Sequence, residues 1–313
     1  MNRSPPRLSR VALHGVVVRG LCLALALGLA ACAQEQPGPE DSGLTVDGGA
    51  PDGGAPDAGA PDAGSPDAGL VTHGKDIHAS NTGVPPGTAL EAVSGTVTLS
   101  TPGEVWEGKD LQGTVIVTAD DVILRNCRID SDGYFAIQSQ GAHRLLVERC
   151  EIFSSEGAYT GIVGDDLTVR RCDLHHFENG LIAGDNDLFE ENFIHDLYYG
   201  PGAHVDGVEW GGSGSHSTVR RNRIELGGDT GCVNITPYGG GIAQDNTVAD
   251  NLFSGGTYSL YIRGDGGGTV DGVTVTGNIW IKDSYAYGPV SVDSATGIVW
   301  SNNTLDDGTV VTP

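Results

Sequence analysis

The chain has 313 residues, of which 17 are basic and 41 acidic, giving a formal net charge of -24. So acidic a chain lacks the basic footprint of a nucleic-acid-binding protein, and an anionic polymer would have to meet it on a local cationic strip.

The first residues carry Arg3, Arg7, Arg10 and Arg19 with no acidic side chain, followed by an apolar run from Leu21 to Ala31 that ends before Cys32. This is the layout of a secretory signal over 1–31, too short for a membrane-spanning helix. Leu29-Ala30-Ala31-Cys32 resembles a bacterial lipobox, which implies cleavage before Cys32 and lipidation of its thiol. Such an anchor attaches the protein to a membrane without spanning it. Ala33 after the lipid site implies, by resemblance to known lipoproteins, the outer membrane or cell surface. Residues 32–70 are nearly free of large apolar side chains, and Pro51, Pro56, Pro61 and Pro66 mark a Pro-Asp-Ala-Gly repeat. That composition predicts a disordered, solvated tether.

From 71 to 313 the signal is an internal repeat. Segments such as VILRNCRI from Val122, LTVRRCDL from Leu167 and STVRRNRI from Ser217 align, and their sixth position forms the column Cys127, Cys150, Cys172, Asn192, Asn222, Asn251, Asn278, Asn303. Short alternating strands recurring every 20 to 30 residues, without a helical period, predict a parallel β-solenoid. The fold expected is all-β, a single-stranded right-handed parallel β-helix of about 8–9 coils. Coils stack at roughly 4.8 Å, so the asparagines should form an interior amide ladder. The three cysteines above them read as buried thiols, with one disulfide as the alternative. The fourth position alternates in sign through Arg125, Glu148, Arg170, Glu190 and Arg220, an exposed ion-pair ladder; Arg149, Arg171 and Arg221, interrupted by Glu191, form a second column.

The opening Asn81-Thr82-Gly83-Val84-Pro85-Pro86-Gly87-Thr88, the stretch Glu107-Gly108-Lys109-Asp110-Leu111-Gln112-Gly113 and the coil VILRNCRI resemble exported β-helix proteins of the pectate-lyase-like superfamily. The resemblance is specific for fold rather than reaction, because that superfamily spans lyases, hydrolases, epimerases and non-catalytic proteins.

Function is expected where the outward columns stop being self-compensating. The position after the final aliphatic runs Asp130, Phe153, His175, His195, Glu225, with His176 and Asp196 beside it. These stacked imidazoles and carboxylates read as a catalytic cluster, as a divalent-metal site or as a hydrogen-bonded ladder. The longest insertion, between Asn192 and Asn222, adds Tyr198 and Tyr199 as sugar platforms and His204, Asp206 and Glu209 as proton-transfer groups. Ile194-His195-Asp196 and His204-Val205-Asp206-Gly207-Val208 match a stretch familiar in the resembled family, where Glu209 stands in place of an amide; Ile182, in the preceding coil, replaces a lysine. Tyr261 and Arg263 should face the same way two coils on, Arg263 meeting a substrate carboxylate.

The expectation is a monomeric, surface-anchored protein acting on a polysaccharide, foremost a lyase of a uronate-containing polymer with His195 or His204 as base and Asp206 or Glu209 orienting it. The alternatives are a non-catalytic glycan-binding or cell-envelope module and a hydrolase using Asp206 and Glu209. No resident metal is assigned; a divalent cation such as calcium is the candidate cofactor, with Asp130-Ser131-Asp132-Gly133 and Asp185-Asn186-Asp187 short of a full ligand loop.

Overall fold

A computed structural model describes residues 71–313 except Tyr199, Pro201, Gly228, Asp229 and Asp265. The signal segment, Cys32 and the tether lie outside the described residues, as does Tyr199. The chain divides into a unit Met1–Pro61, wholly outside them, and a unit Asp62–Pro313 that holds the fold.

That fold is a single-stranded right-handed parallel β-helix with three main strand stacks, here called faces 1, 2 and 3, and a further three-stranded stack of Ile242–Gln244, Thr269–Asp271 and Ala295–Thr296 in the C-terminal coils. In one coil, Ile123–Arg125 belongs to face 3, Arg128–Asp130 to face 1 and Phe135–Ser139 to face 2, after which Leu145–Glu148 returns to face 3. Face 3 is a sheet of nine strands. Faces 1 and 2 are joined by two strands that run through both, Glu151–Val163 and Asp173–Ile182, the first with a register shift between Phe153 and Ala158. Among the described residues the one helical element is a three-residue 3-10 turn, Gly74–Asp76, ahead of the first strand.

Alternation places every second side chain inside. Leu124, Val147, Val169 and Phe189 enter from face 3, Ile129, Ile152, Leu174 and Ile194 from face 1, and Ile137, Ile162, Leu181 and Val208 from face 2, all buried. The asparagine ladder forms as expected. Asn222 Oδ1 accepts from the Asn192 backbone N–H at 2.9 Å and from Asn192 Nδ2 at 3.0 Å, and the pattern repeats through Asn251, Asn278 and Asn303. Cys127, Cys150 and Cys172 continue the same file as free buried thiols, and Cys172 N–H donates to Asn192 Oδ1 at 2.9 Å. The fourth-position ladder is paired, Arg125 to Glu107 at 2.9 Å, Arg170 to Glu148 at 2.8 Å and Arg220 to Glu190 at 2.7 Å. The second column closes on Glu191, which takes Arg171 at 2.8 Å and Arg221 at 3.1 Å. The first column is thus self-compensated, and in the second Arg171 and Arg221 are taken up by Glu191 while Arg149 makes no ion pair among the described residues.

The corner between faces 3 and 1 is a single left-handed residue in each coil, including Asn126, Arg149, Arg171, Glu191, Arg221 and Asp250. One such residue turns the chain and aims the next side chain, the Cys or Asn, inward. The backbone carbonyls of this corner receive a strap formed by residues 71–90: His73 Nε2 lies 2.8 Å from Gly277 O, Gly74 N–H donates to Asp250 O at 2.7 Å, and Gly83 N–H donates to Arg171 O at 2.9 Å. Gly74 is required by contact, since a Cβ there would lie 2.1 Å from Asn222 O. From the sequence, the small residues Ala136, Gly161, Gly180, Gly207, Gly231 and Ser259, read as preceding inward side chains, are expected to form one file at a crowded bend, and that alignment needs correction at Gly231. The file Ala136, Gly161, Gly180, Gly207 continues through Cys232, because Val208 pairs with Val233; Gly231 instead pairs with Asp206.

Candidate functional site

The residues singled out in the sequence occupy two places. On face 1, Phe153, His175, His195 and Glu225 follow one another in register. The His175 and His195 rings stack at 5.3 Å, with Phe153 5.0 Å beyond His175 and Phe193 4.1 Å from His195. Both nitrogens of His195 are taken, Nε2 by Asp173 Oδ1 and Nδ1 by Asp196 Oδ2, each at 2.7 Å. Burial alone would depress its pKa, but the two carboxylates outweigh it and raise it above the ordinary histidine value. The bond from His195 in turn lowers the Asp196 pKa. A histidine with both nitrogens engaged and its proton held tightly has no lone pair to offer as a base. His176, in contrast, is lowered by burial and by the neighbouring His175.

On face 2 the groups converge differently. Ile182, Glu209, Asn234 and Tyr261 share one outward file, and Thr160, Asn179, Asp206 and Gly231 share the next. Asp206 is buried, and beside it the backbone at Gly207 is packed too tightly for a side chain. A Cβ at Gly207 would meet Cys232 O and Ile224 Cγ2, both at 2.5 Å. Asp206 Oδ1 accepts from Gly231 N–H at 2.9 Å and Oδ2 from Asn234 Nδ2 at 3.2 Å. Asn179 links the two acids, its Oδ1 accepting from the Asp206 backbone N–H at 3.1 Å and its Nδ2 donating to Glu209 Oε2 at 2.9 Å. Burial, first, and the Glu209 charge, second, push the Asp206 pKa well above the carboxylate range. Burial and Glu178 raise Glu209, against a smaller opposing effect of His204.

Glu178 completes the cluster, accepting the His204 backbone N–H at 3.2 Å. Tyr159 stands beside these acids, raised to about 12 by burial and then by Glu209, Tyr134 and Glu178, and its ring stacks on the exposed Tyr134 at 4.6 Å. Toward the C-terminal coils a cavity of about 290 Å³ is lined by His204, Asn234, Tyr238, Tyr261 and Arg263 among others. Arg263 stands in register with Asp293. Thus the structure brings His204, Asp206, Glu209, Tyr261 and Arg263 onto face 2 and leaves His175, His176, His195, Asp196 and Glu225 on face 1, with Tyr198 lining a separate cavity there. The pairing of His195 with Asp206 or Glu209 expected from the sequence is not formed. Glu178, Asn179, Tyr159, Asn234 and Tyr238 were not singled out, though Asn179 and Glu178 sit one coil before the His204–Glu209 stretch. Among the described residues, no group of three or more His, Cys, Asp or Glu side chains has the arrangement to hold a metal ion.

The winding defines the class, a right-handed parallel β-helix, with its titratable groups in two outward clusters on faces 1 and 2. A family model described as right handed beta helix region matches residues 162–311. Among solved structures the chain is similar to an alginate lyase from Paenibacillus sp. str. FPU-7, 11% identical with a TM-score of 0.44, covering 72% of this chain and 100% of that one. It is also similar to a glycoside hydrolase, 12% identical with a TM-score of 0.28, covering 67% of this chain and 38% of that one. No curated protein sequence matches the chain.

Proposed function

We propose that the protein is a surface-anchored enzyme that cleaves a polysaccharide laid along face 2, with Glu209 exchanging the proton. The observation that carries this reading is the raised, solvent-reaching Glu209 carboxyl, held by Asn179 over buried Asp206 and flanked on both sides by tyrosines. From the coil of Tyr159 to that of Tyr261 is about 19 Å at roughly 4.8 Å per coil. A groove of that length, with aromatic faces at its ends and acids at its middle, suits an extended chain of sugar rings.

A carboxyl that keeps its proton to higher pH is a better general acid toward a leaving oxygen. Glu178 is the second carboxylate at the surface, so the paired acids favour hydrolysis, with Asn179, itself bonded by the Asp206 backbone, as the group that holds Glu209 in place. A specific observation supports a second reading, β-elimination on a uronate. Arg263 and His204 line one cavity, where the guanidinium would neutralise a sugar carboxylate and the imidazole would accept the adjacent proton.

The test is a panel of neutral and acidic polysaccharides assayed for new reducing ends and for unsaturated-uronate absorbance. Hydrolysis gives reducing ends alone, and elimination gives both. If hydrolysis is found, Glu209→Gln should lower kcat at least 100-fold while the fold is retained; if elimination is found, that loss should fall on His204→Ala. Full activity in Glu209→Gln refutes the assignment, and retention of polymer without cleavage identifies a binding module instead.

A further inference from the structure

The face 1 cluster is not used by this reading, yet it borders the larger of the two cavities. About 840 Å³ lies at the corner between faces 1 and 2, lined by His195, Asp196, Leu197, Tyr198, Glu225 and Leu226 among others. Its floor is apolar, with Leu197 and Leu226 buried, while the Tyr198 ring is 58% exposed. The insertion that carries His204 to the carboxylate groove thus presents Tyr198 to this second cavity. It is pinned by Tyr198 N–H donating to Phe177 O at 2.8 Å, and the opposite wall by Leu226 N–H donating to Ser254 O at 2.8 Å.

Both acids that line the cavity are anchored on basic side chains. Asp196 places Oδ2 on His195, and Glu225 places Oε1 on Arg223 at 2.6 Å. Each carboxylate is fixed in orientation and still has a second oxygen to accept from a ligand hydroxyl. The two acids that line the cavity each sit against a basic side chain, Asp196 on His195, which Asp173 shares, and Glu225 on Arg223, and their carboxylates act there as hydrogen-bond acceptors; a ligand that is uncharged, rich in hydroxyls and flat on one face fits best.

We propose that this cavity is a second saccharide-binding site, selective for an uncharged sugar segment, with Tyr198 as the stacking platform and Asp196 and Glu225 as hydroxyl acceptors. It rests on the reading that the protein handles a polysaccharide, and it would hold the polymer beside the cleavage groove, raising the effective concentration there.

The test uses the full chain labelled with 15N-histidine and titrated with cellohexaose, mannohexaose and xylohexaose. At least one of these should shift the His176 and His195 imidazole resonances, in wild type and in Glu209→Gln alike. Tyr198→Ala and Glu225→Gln should each weaken that binding about 10-fold, and Tyr198→Phe, which keeps the ring, should restore it. If the imidazoles never respond while cleavage still depends on Glu209, this second site is refuted and the cleavage reading stands. If Tyr198 governs binding but Glu209→Gln cleaves normally, the converse holds. Should no hexasaccharide bind and no polymer be cleaved, both fail together.

Discussion

Replacing Asn222 by alanine tests the ladder that fixes the whole winding. Asn222 sits mid-file and fully buried, with its Oδ1 taking two bonds from Asn192 and its Nδ2 donating to Phe189 O at 2.9 Å and Asn251 Oδ1 at 3.1 Å. Truncation strands the Asn192 backbone N–H inside the solenoid, about 1–3 kcal/mol for a buried unsatisfied donor. It also removes one contact each from Asn192 Nδ2, Phe189 O and Asn251 Oδ1, groups that keep other partners, at roughly 0.5–1.5 kcal/mol apiece. The expected loss is therefore about 2.5–7.5 kcal/mol. Arg220→Ala, on the outside of the same coil, removes an ion pair whose arginine is 40% exposed and should cost under about 1 kcal/mol. Urea unfolding followed by far-ultraviolet circular dichroism and tryptophan fluorescence measures both; coincident transitions are needed because a solenoid can unfold in sections. The reasoning is refuted if Asn222→Ala lies within about 1 kcal/mol of wild type or no lower than Arg220→Ala.

Three other outcomes follow from local chemistry. Asp187 is buried, and desolvation raises its pKa from 3.8 to about 7 although Leu167 and Gly184 N–H groups bond it. A raised acid favours folding while protonated, so its contribution is full at low pH and is lost as pH rises from about 4 to about 7. The slope is up to about 1.4 kcal/mol per pH unit. Denaturation profiles of wild type and Asp187→Ser, in which Ser217's residue type is repeated one coil earlier, should diverge across that window; parallel profiles would count against it. Gly207→Ala, whose Cβ meets Cys232 O and Ile224 Cγ2 at 2.5 Å, should cost about 1–3 kcal/mol by overpacking and should reduce Glu209-dependent cleavage further by displacing Asp206. An unchanged urea midpoint would show that the position does not need glycine. The hydrogen bond to Cys150 and burial raise the Cys127 thiol, and burial raises Cys150 and Cys232, so these thiols should alkylate only as fast as the protein unfolds. Mass mapping that finds native Cys150 labelled rapidly would contradict this.

Much of the scaffold was legible because stacking turns a sequence spacing into a contact. Five asparagines in one file, and alternating charges at Arg125, Glu148, Arg170, Glu190 and Arg220, specify the register that the structure adopts. The same logic placed His175, His195 and Glu225 on successive coils. It failed at corners. Arginines and a glutamate hold the left-handed positions 149, 171, 191 and 221, where sequence rules expect glycine or asparagine, so the turns gave no signal of their own. The strap of residues 71–90 has no strand period, because its donors answer to carbonyls more than a hundred residues away in places such as Asp250.

The division of the candidate site into two has the same origin. Parity counting assumes that alternation persists along a strand, but Asp173–Ile182 turns a corner without ending, and its outward residues change face as it does so. His175 therefore belongs with His195 on face 1, whereas Asn179, four residues later, belongs with Asp206 on face 2. Two groups of acids and imidazoles that look like one cluster in sequence become two environments, one in which bonds from basic side chains lower a carboxyl such as Asp196 and one in which burial and like charges raise Asp206 and Glu209. Only the second leaves a carboxyl group poised to exchange a proton, which is why the chemistry is assigned to Glu209 rather than to the more conspicuous histidines.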